Sequence, residues 1–246
     1  MIFVIVLIIT AVRIKSMDSH RISGRILAEN IAGPGMLRLV EQSMQARARK
    51  TSVTEIAVKE RKHPQAALTF DDGPDIRYTP LLLDGLKERN VRVSFFLLGE
   101  KVEQYPELVE RMQKEGHLVG NHTYHHVQLN KLNETKAREE ILKTNNLIYE
   151  TTGVYPLYLR PPFGAWKKNL ELCVEMLPVF WTIDTLDWKV QNTEKIVRTV
   201  QEQIEDGAII LMHDEYDTSV EAALQVVDEL KNQGYELVTV DRLTLP

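Results

Sequence analysis

The side chains able to do chemistry fall into five short groups. They are Asp71-Asp72-Gly73-Pro74, His122-Thr123-Tyr124-His125-His126, Arg160-Pro161-Pro162-Phe163-Gly164, Asp184-Thr185-Leu186-Asp187-Trp188 and Leu211-Met212-His213. His122 and His126 are four positions apart, and on a helical turn that spacing points both imidazoles the same way. Two neutral imidazoles and one carboxylate make a common site for a divalent cation, with positions left open for water and substrate. Asp72 supplies the carboxylate in this reading. Zinc, cobalt and nickel all suit such ligands. His125 has the wrong spacing to join His122 and is read as a surface or supporting residue. The bland alternative for Asp-Asp-Gly-Pro is a turn, because D-G and G-P are turn dipeptides.

A cation in that place asks for an acid and a base. Asp71 adjoins the ligand and can take a proton from a water the metal has acidified, which makes it the candidate general base. Arg160 carries a fixed charge and can pair with Asp71, tuning it and holding its rotamer. The stiff loop after Arg160 offers the backbone N–H of Phe163 to an oxyanion. His213 is the candidate general acid for a departing amine. Asp187 can accept from its other ring nitrogen and keep it protonated near neutrality. Two groups tuned in opposite senses divide acid from base work. Trp188 and Leu211 are read as walls of a small apolar pocket for a methyl group, and Asp184 as ordering its loop.

These residues need elements to hold them. Ala66–Phe70, Val91–Leu98, His117–Gly120, Tyr158–Arg160, Val179–Ile183, Ala208–Met212 and Glu236–Val240 read as strands. Tyr78–Arg89 reads as a helix with Leu81, Leu82 and Leu86 on one face, and Glu100–Glu115 as a helix stopped by Gly116. Asn133–Thr152 reads as a helix capped by Asn133 and closed by Gly153. Leu170–Leu177, Thr193–Glu205 and Ser219–Gln233 are also helical in this reading. Strand and helix alternate about six times, the pattern of an α/β fold with a parallel sheet and crossover helices. An open doubly wound sheet and a closed barrel both fit. The reactive residues decide, because each stands at the C-terminal end of a predicted strand, and in a parallel barrel those ends share one mouth.

Charge divides the chain. Residues 1–12 carry no charged side chain, and residues 13–62 hold eleven Lys/Arg against five Asp/Glu, a balance of +6. Residues 63–246 have a balance of −11. The apolar run MIFVIVLIITAV suits an export signal or membrane anchor. Residues 13–63 read as a basic linker or arm, with a short helix near Met36–Arg49, able to lie on an anionic membrane or wall polymer. Residues 64–246 form the catalytic domain in this division. The lone Cys173 excludes an intrachain disulfide and a Cys-rich zinc module, and reads as a buried small hydrophobe.

The five groups, in this order, resemble the motifs of the polysaccharide deacetylases with a NodB homology domain, carbohydrate esterase family 4. The likeness runs from about Pro64 to Pro246, three-quarters of the chain. It implies a distorted (β/α) barrel of about seven parallel strands. It implies one divalent ion, zinc or a similar metal, with Asp71 as base and Asp72, His122 and His126 as ligands. It also implies hydrolysis of N-acetyl groups on a hexosamine polymer such as peptidoglycan or chitin, and the apolar run at residues 1–12 sets the expected place outside the cytoplasm, in the wall or at the membrane, with a cytoplasmic place as the alternative. The N-acetylated glycan is then the partner, and no nucleic acid is expected. Phe163 stands where many relatives have Tyr, with little effect if its backbone does the work. The rival readings are an O-acetyl esterase on xylan-type polymers, an amidase on cyclic imides or ureides, and a non-catalytic wall-binding protein.

Overall fold

Strand β1 (Gln65–Asp71) is buried along its whole length, and the rest of the fold is arranged around it. In this computed structural model residues 63–166 and 176–244 are described. The export signal or anchor expected over residues 1–12, the arm expected over 13–62, Cys173 and most of the helix expected over Leu170–Leu177 lie outside them. Alternation along β1 sends Ala66, Leu68 and Phe70 into the layer beneath the helices. It sends Ala67, Thr69 and Asp71 to the opposite face, where Ala67 packs with Phe96, Tyr158, Val179 and Val240. A strand covered on both faces reads as a continuous apolar run, as the sequence does.

The other strands are β2 (Ser94–Leu97), β3 (Leu118–Asn121), β4 (Tyr158–Leu159), β5 (Leu177–Pro178), β6 (Ile183–Asp184), β7 (Ala208–His213) and β8 (Glu236–Leu237). All pairings are parallel, in the order β5-β4-β3-β2-β1-β7-β6, with β8 against the start of β1. The described α-helices are α1 (Tyr78–Glu88), α2 (Gly99–Gln104), α3 (Pro106–Lys114), α4 (Glu134–Thr152), α5 (Asp187–Val190), α6 (Thr193–Gln203), α7 (Asp217–Asn232) and α8 (Val240–Thr244).

One short segment dictates the curvature. The sequence reading made Val179–Ile183 a single strand, but its two ends belong to opposite edges of the sheet. Val179 N–H donates to Leu159 O beside β4 at 2.8 Å, and Thr182 N–H donates to Ile209 O of β7 at 2.9 Å. Three residue steps reach at most ~11 Å, whereas seven strands laid flat would part their edges by ~29 Å. The sheet must therefore curl, and it forms a half-barrel of seven parallel strands.

Several elements differ from expectation for local reasons. The helix expected over Glu100–Glu115 is two helices, because Pro106 lacks an N–H and forces Tyr105 out of the helical region, to φ −133° and ψ 56°. In α1 the buried stripe is Thr79, Leu82, Leu83 and Leu86, at helical spacing, and Leu81 lies outside it, half exposed. The last strand stops at Leu237 rather than Val240, because Ser94 Oγ accepts the Val240 N–H at 3.0 Å and the chain turns into α8. Helix α4 keeps its expected ends. Asn133 Oδ1 accepts from Lys136 N–H at 2.9 Å, and Gly153 closes it at φ 72°.

Candidate active site

All the reactive groups named from the sequence gather at the C-terminal rim of the sheet. Asp71 ends β1, and His213 is its register partner at the end of β7. His122 follows β3, Arg160 follows β4, and Asp184 ends β6. Asp187 and Trp188 open α5.

Asp71 and Asp72 are consecutive but face different partners. Asp72 is left-handed at φ 68°, a costly backbone for a residue with a side chain. Asp71 is 3 % exposed and meets the fully buried Arg160, whose Nη1 donates to Oδ1 at 2.8 Å. The same nitrogen donates to Thr69 Oγ1, and the guanidinium lies 4.3 Å from the centre of the Phe96 ring. Asp72 Oδ1 lies 3.3 Å from His122 Nε2 and 3.4 Å from His126 Nε2.

The donor set fits a divalent cation. One ligand atom each from Asp72, His122 and His126 falls within 4.8 Å of the others. Ligand atoms bound tetrahedrally at ~2.1 Å lie ~3.4 Å apart, which matches the two separations just given. Asp72 Oδ1 is buried with no hydrogen-bond partner, an arrangement that otherwise costs free energy. His122 Nδ1 is 2.6 Å from the Arg160 carbonyl, so the ring donates there and its Nε2 lone pair points at the site. Burial lowers the pKa of His126 and favours the neutral, ligating ring, while Asp72 opposes the shift. For Asp72, burial acts to raise the pKa. The neighbouring rings of His122, His126 and His213 outweigh it, and the net shift is downward.

His122 and His126 do not share a helical turn, as their spacing had suggested. Thr123 at φ 66° and His126 at φ 54° break the helical path, and the loop's N–H groups are taken by side chains. Asn121 Oδ1 accepts from Thr123 N–H at 2.7 Å, and Thr123 Oγ1 from Val127 N–H at 3.2 Å. His125 is exposed and reaches Glu140 at 2.8 Å.

On the far side of Asp72, His213 Nε2 lies 3.8 Å from Asp72 Oδ2. Its Nδ1 bonds to Asp187 Oδ1 at 2.8 Å, and its backbone N–H donates to Asp187 Oδ2 at 2.8 Å. Burial opposes a charge on this ring. The bond to Asp187 and the charges of Asp187, Asp71 and Asp72 overcome it and raise the pKa to about 9.

Phe163 takes φ 59°, and its exposed ring lies 4.5 Å from that of His126. Trp188 is half exposed, and Leu211 is buried two residues below His213 on the same strand. Asp184 Oδ1 accepts from Leu186 N–H at 3.0 Å and so shapes its own loop.

The sequence reading passed over Asp214. This residue is wholly buried, the Thr79 hydroxyl donates to it, and burial raises its pKa to about 7. It packs against Gly73 so closely that a Cβ there would lie 2.5 Å from its Oδ1, which explains a glycine after Asp72. An acid directly after His213, at the end of β7, is the one signal that marked it.

Comparison with known proteins gives consistent likenesses. A family model described as polysaccharide deacetylase matches residues 58–180. The peptidoglycan-N-acetylglucosamine deacetylase PgdA of Listeria monocytogenes is 42 % identical over 185 residues, which is 75 % of this chain and 40 % of that protein. The peptidoglycan-N-acetylmuramic acid deacetylase PdaC of Bacillus subtilis is 42 % identical over 177 residues, 72 % of this chain and 38 % of that protein. The chain thus spans about two fifths of the length of these curated relatives. The solved structure of peptidoglycan deacetylase PdaC from Bacillus subtilis superposes with a TM-score of 0.72 at 41 % identity, covering 74 % of this chain and 90 % of that one.

Proposed function

The chain belongs to the polysaccharide deacetylase family, and on that premise we propose that it hydrolyses N-acetyl groups on the hexosamines of a peptidoglycan-like polymer outside the cytoplasm. The observation that carries this reading is the meeting of Asp72, His122 and His126 around one point, with Asp71 and His213 on either side. A divalent cation there, zinc by ligand type, supplies Lewis acidity toward the acetyl carbonyl and toward water.

The chain's own groups do the rest. Arg160 holds Asp71 by Oδ1, which leaves Oδ2 on the ligand side, 3.8 Å from His122 Nε2. Asp71 Oδ2 takes the proton of the attacking water. His213 reaches neutral pH with its proton in place and delivers it from Nε2 to the leaving amine, while Asp187 fixes the ring through Nδ1. Acetate and the free amine are the products. The backbone N–H of Phe163 is assigned to the developing oxyanion, and Trp188 and Leu211 to the acetyl methyl group.

Mass spectrometry after incubation with the metal-loaded full chain tests this on peptidoglycan, chitooligomers and acetylated xylan. Acetyl loss from the hexosamine polymers is the expected result, and which polymer responds identifies the sugar. Loss from xylan alone would make the chain an O-acetyl esterase. Glycan binding without acetyl loss would make it a non-catalytic wall protein.

A further inference from the structure

The loop that carries both histidines is held in place from a neighbouring helix by one carboxylate. Glu140 lies in the second turn of α4. Its Oε2 accepts from the backbone N–H of Tyr124 at 3.0 Å and of His125 at 2.9 Å. Its Oε1 pairs with His125 Nδ1 at 2.8 Å, and because an ionised carboxylate only accepts, that ring nitrogen donates. Opposite, the N–H groups of Gly99 and Glu100 at the start of α2 donate to the carbonyls of Thr123 and Tyr124 at 2.9 and 3.3 Å. The peptides between the two ligands are therefore clamped from both sides, in a stretch whose flanking residues Thr123 and His126 are left-handed. Without the clamp, the path would rest on the local bonds of Asn121 to Thr123 and of Thr123 to Val127, against the preference of residues with a Cβ for the right-handed region.

We propose that Glu140 is a positioning residue. It fixes the direction of His126 relative to His122, with His125 as the side-chain handle that completes its grip. The inference rests on the metal reading above. It gives the exposed His125 a role that its spacing alone could not.

Cobalt(II) titration of the metal-free full chain is the test, read as dissociation constant and as the visible absorption spectrum of the bound ion. Wild type must bind one ion; if it does not, the metal reading itself fails whatever the variants do. Glu140→Ala is expected to weaken binding by ~10-fold or more, the scale seen for residues that orient ligands, and to change the spectrum. Glu140→Gln, whose Oε1 can still accept both N–H groups, is expected to recover most of the affinity and the spectrum. Glu103→Ala removes the partner of the Tyr124 hydroxyl on the same loop but no backbone tie, and is expected to behave as wild type. Should Glu140→Ala fail to fold, Glu140→Asp, with its shorter reach, carries the same expectation. Wild-type affinity and spectrum in the truncated variant would overturn the proposal. An equal loss in Glu103→Ala would also overturn it, since general loosening would then explain the effect.

Discussion

At the scale of single residues, one left-handed backbone position sends two adjacent carboxylates to different work. Asp71 stays with the buried Arg160, while Asp72, at φ 68°, turns to the two imidazoles. The division predicts that Asp71→Asn keeps its metal and loses turnover by at least ~100-fold, the lower end for general acid–base catalysis. Acetate release and elemental analysis of the same sample check both halves. His213 gives a second prediction. Its pKa is raised, so its proton is held well above neutrality and the rate should fall only as pH approaches about 9. In Asp187→Asn the largest favourable charge is gone while the opposing burial remains, and the alkaline limb of kcat should move to lower pH. An alkaline limb that stays in place would remove His213 from the acid role. The residues assigned to chemistry could be picked out of the sequence because they are polar, ionisable types at strand ends, and the structure gathers them at one rim. Asp214, Asn121 and Glu140 were not, because each works through partners distant in sequence: Asp214 through Thr79, Asn121 through Ile141 and Asn145, Glu140 through Tyr124 and His125.

At the scale of elements, the sequence announces helix ends better than strand ends. Asn133, Gly153 and Pro106 act through their own backbone, so their effects are local and readable. The split between β5 and β6 is set by which edge each N–H bonds to, and an apolar run carries no mark of that. His117, just ahead of β3, shows how an element can depend on pH. Its ring is buried against Phe95, and its Nδ1 accepts the Val93 N–H at 3.1 Å, tying β3 to the residue before β2. Burial lowers its pKa to about 4 from an ordinary 6.5. The unfolded chain therefore takes up this proton more readily, and stability is full above about pH 6.5 and declines as pH falls toward 4, by up to ~3 kcal/mol. Urea midpoints at pH 7.5 and 4.5 should fall steeply in wild type and less in His117→Gln. Equal slopes would mean that other groups govern the acid limb.

At the scale of the molecule, the alternation of strands and helices admitted both an open sheet and a barrel. What selects the half-barrel is the three-step passage from Val179 to Thr182, which joins β4's side of the sheet to β7's. Curling brings the ends of β1, β3, β4, β6 and β7 to one rim, and Arg160 fills the interior below it, with its Nε 3.4 Å from Val179 O. Architecture and site thus share a cause: the segment that bends the sheet also packs against the arginine that holds Asp71. No described helix is long and apolar enough to cross a membrane. Such a rim can act only if Asp72, His122 and His126 hold one cation that hydrolysis requires. The direct measurement is acetate release from hexosamine polymer as a divalent ion is titrated into the metal-stripped full chain. Release should rise from near zero to a plateau at one ion per chain and stay flat in His122→Ala. Full release from the stripped protein, or an unchanged titration in that variant, would contradict the account.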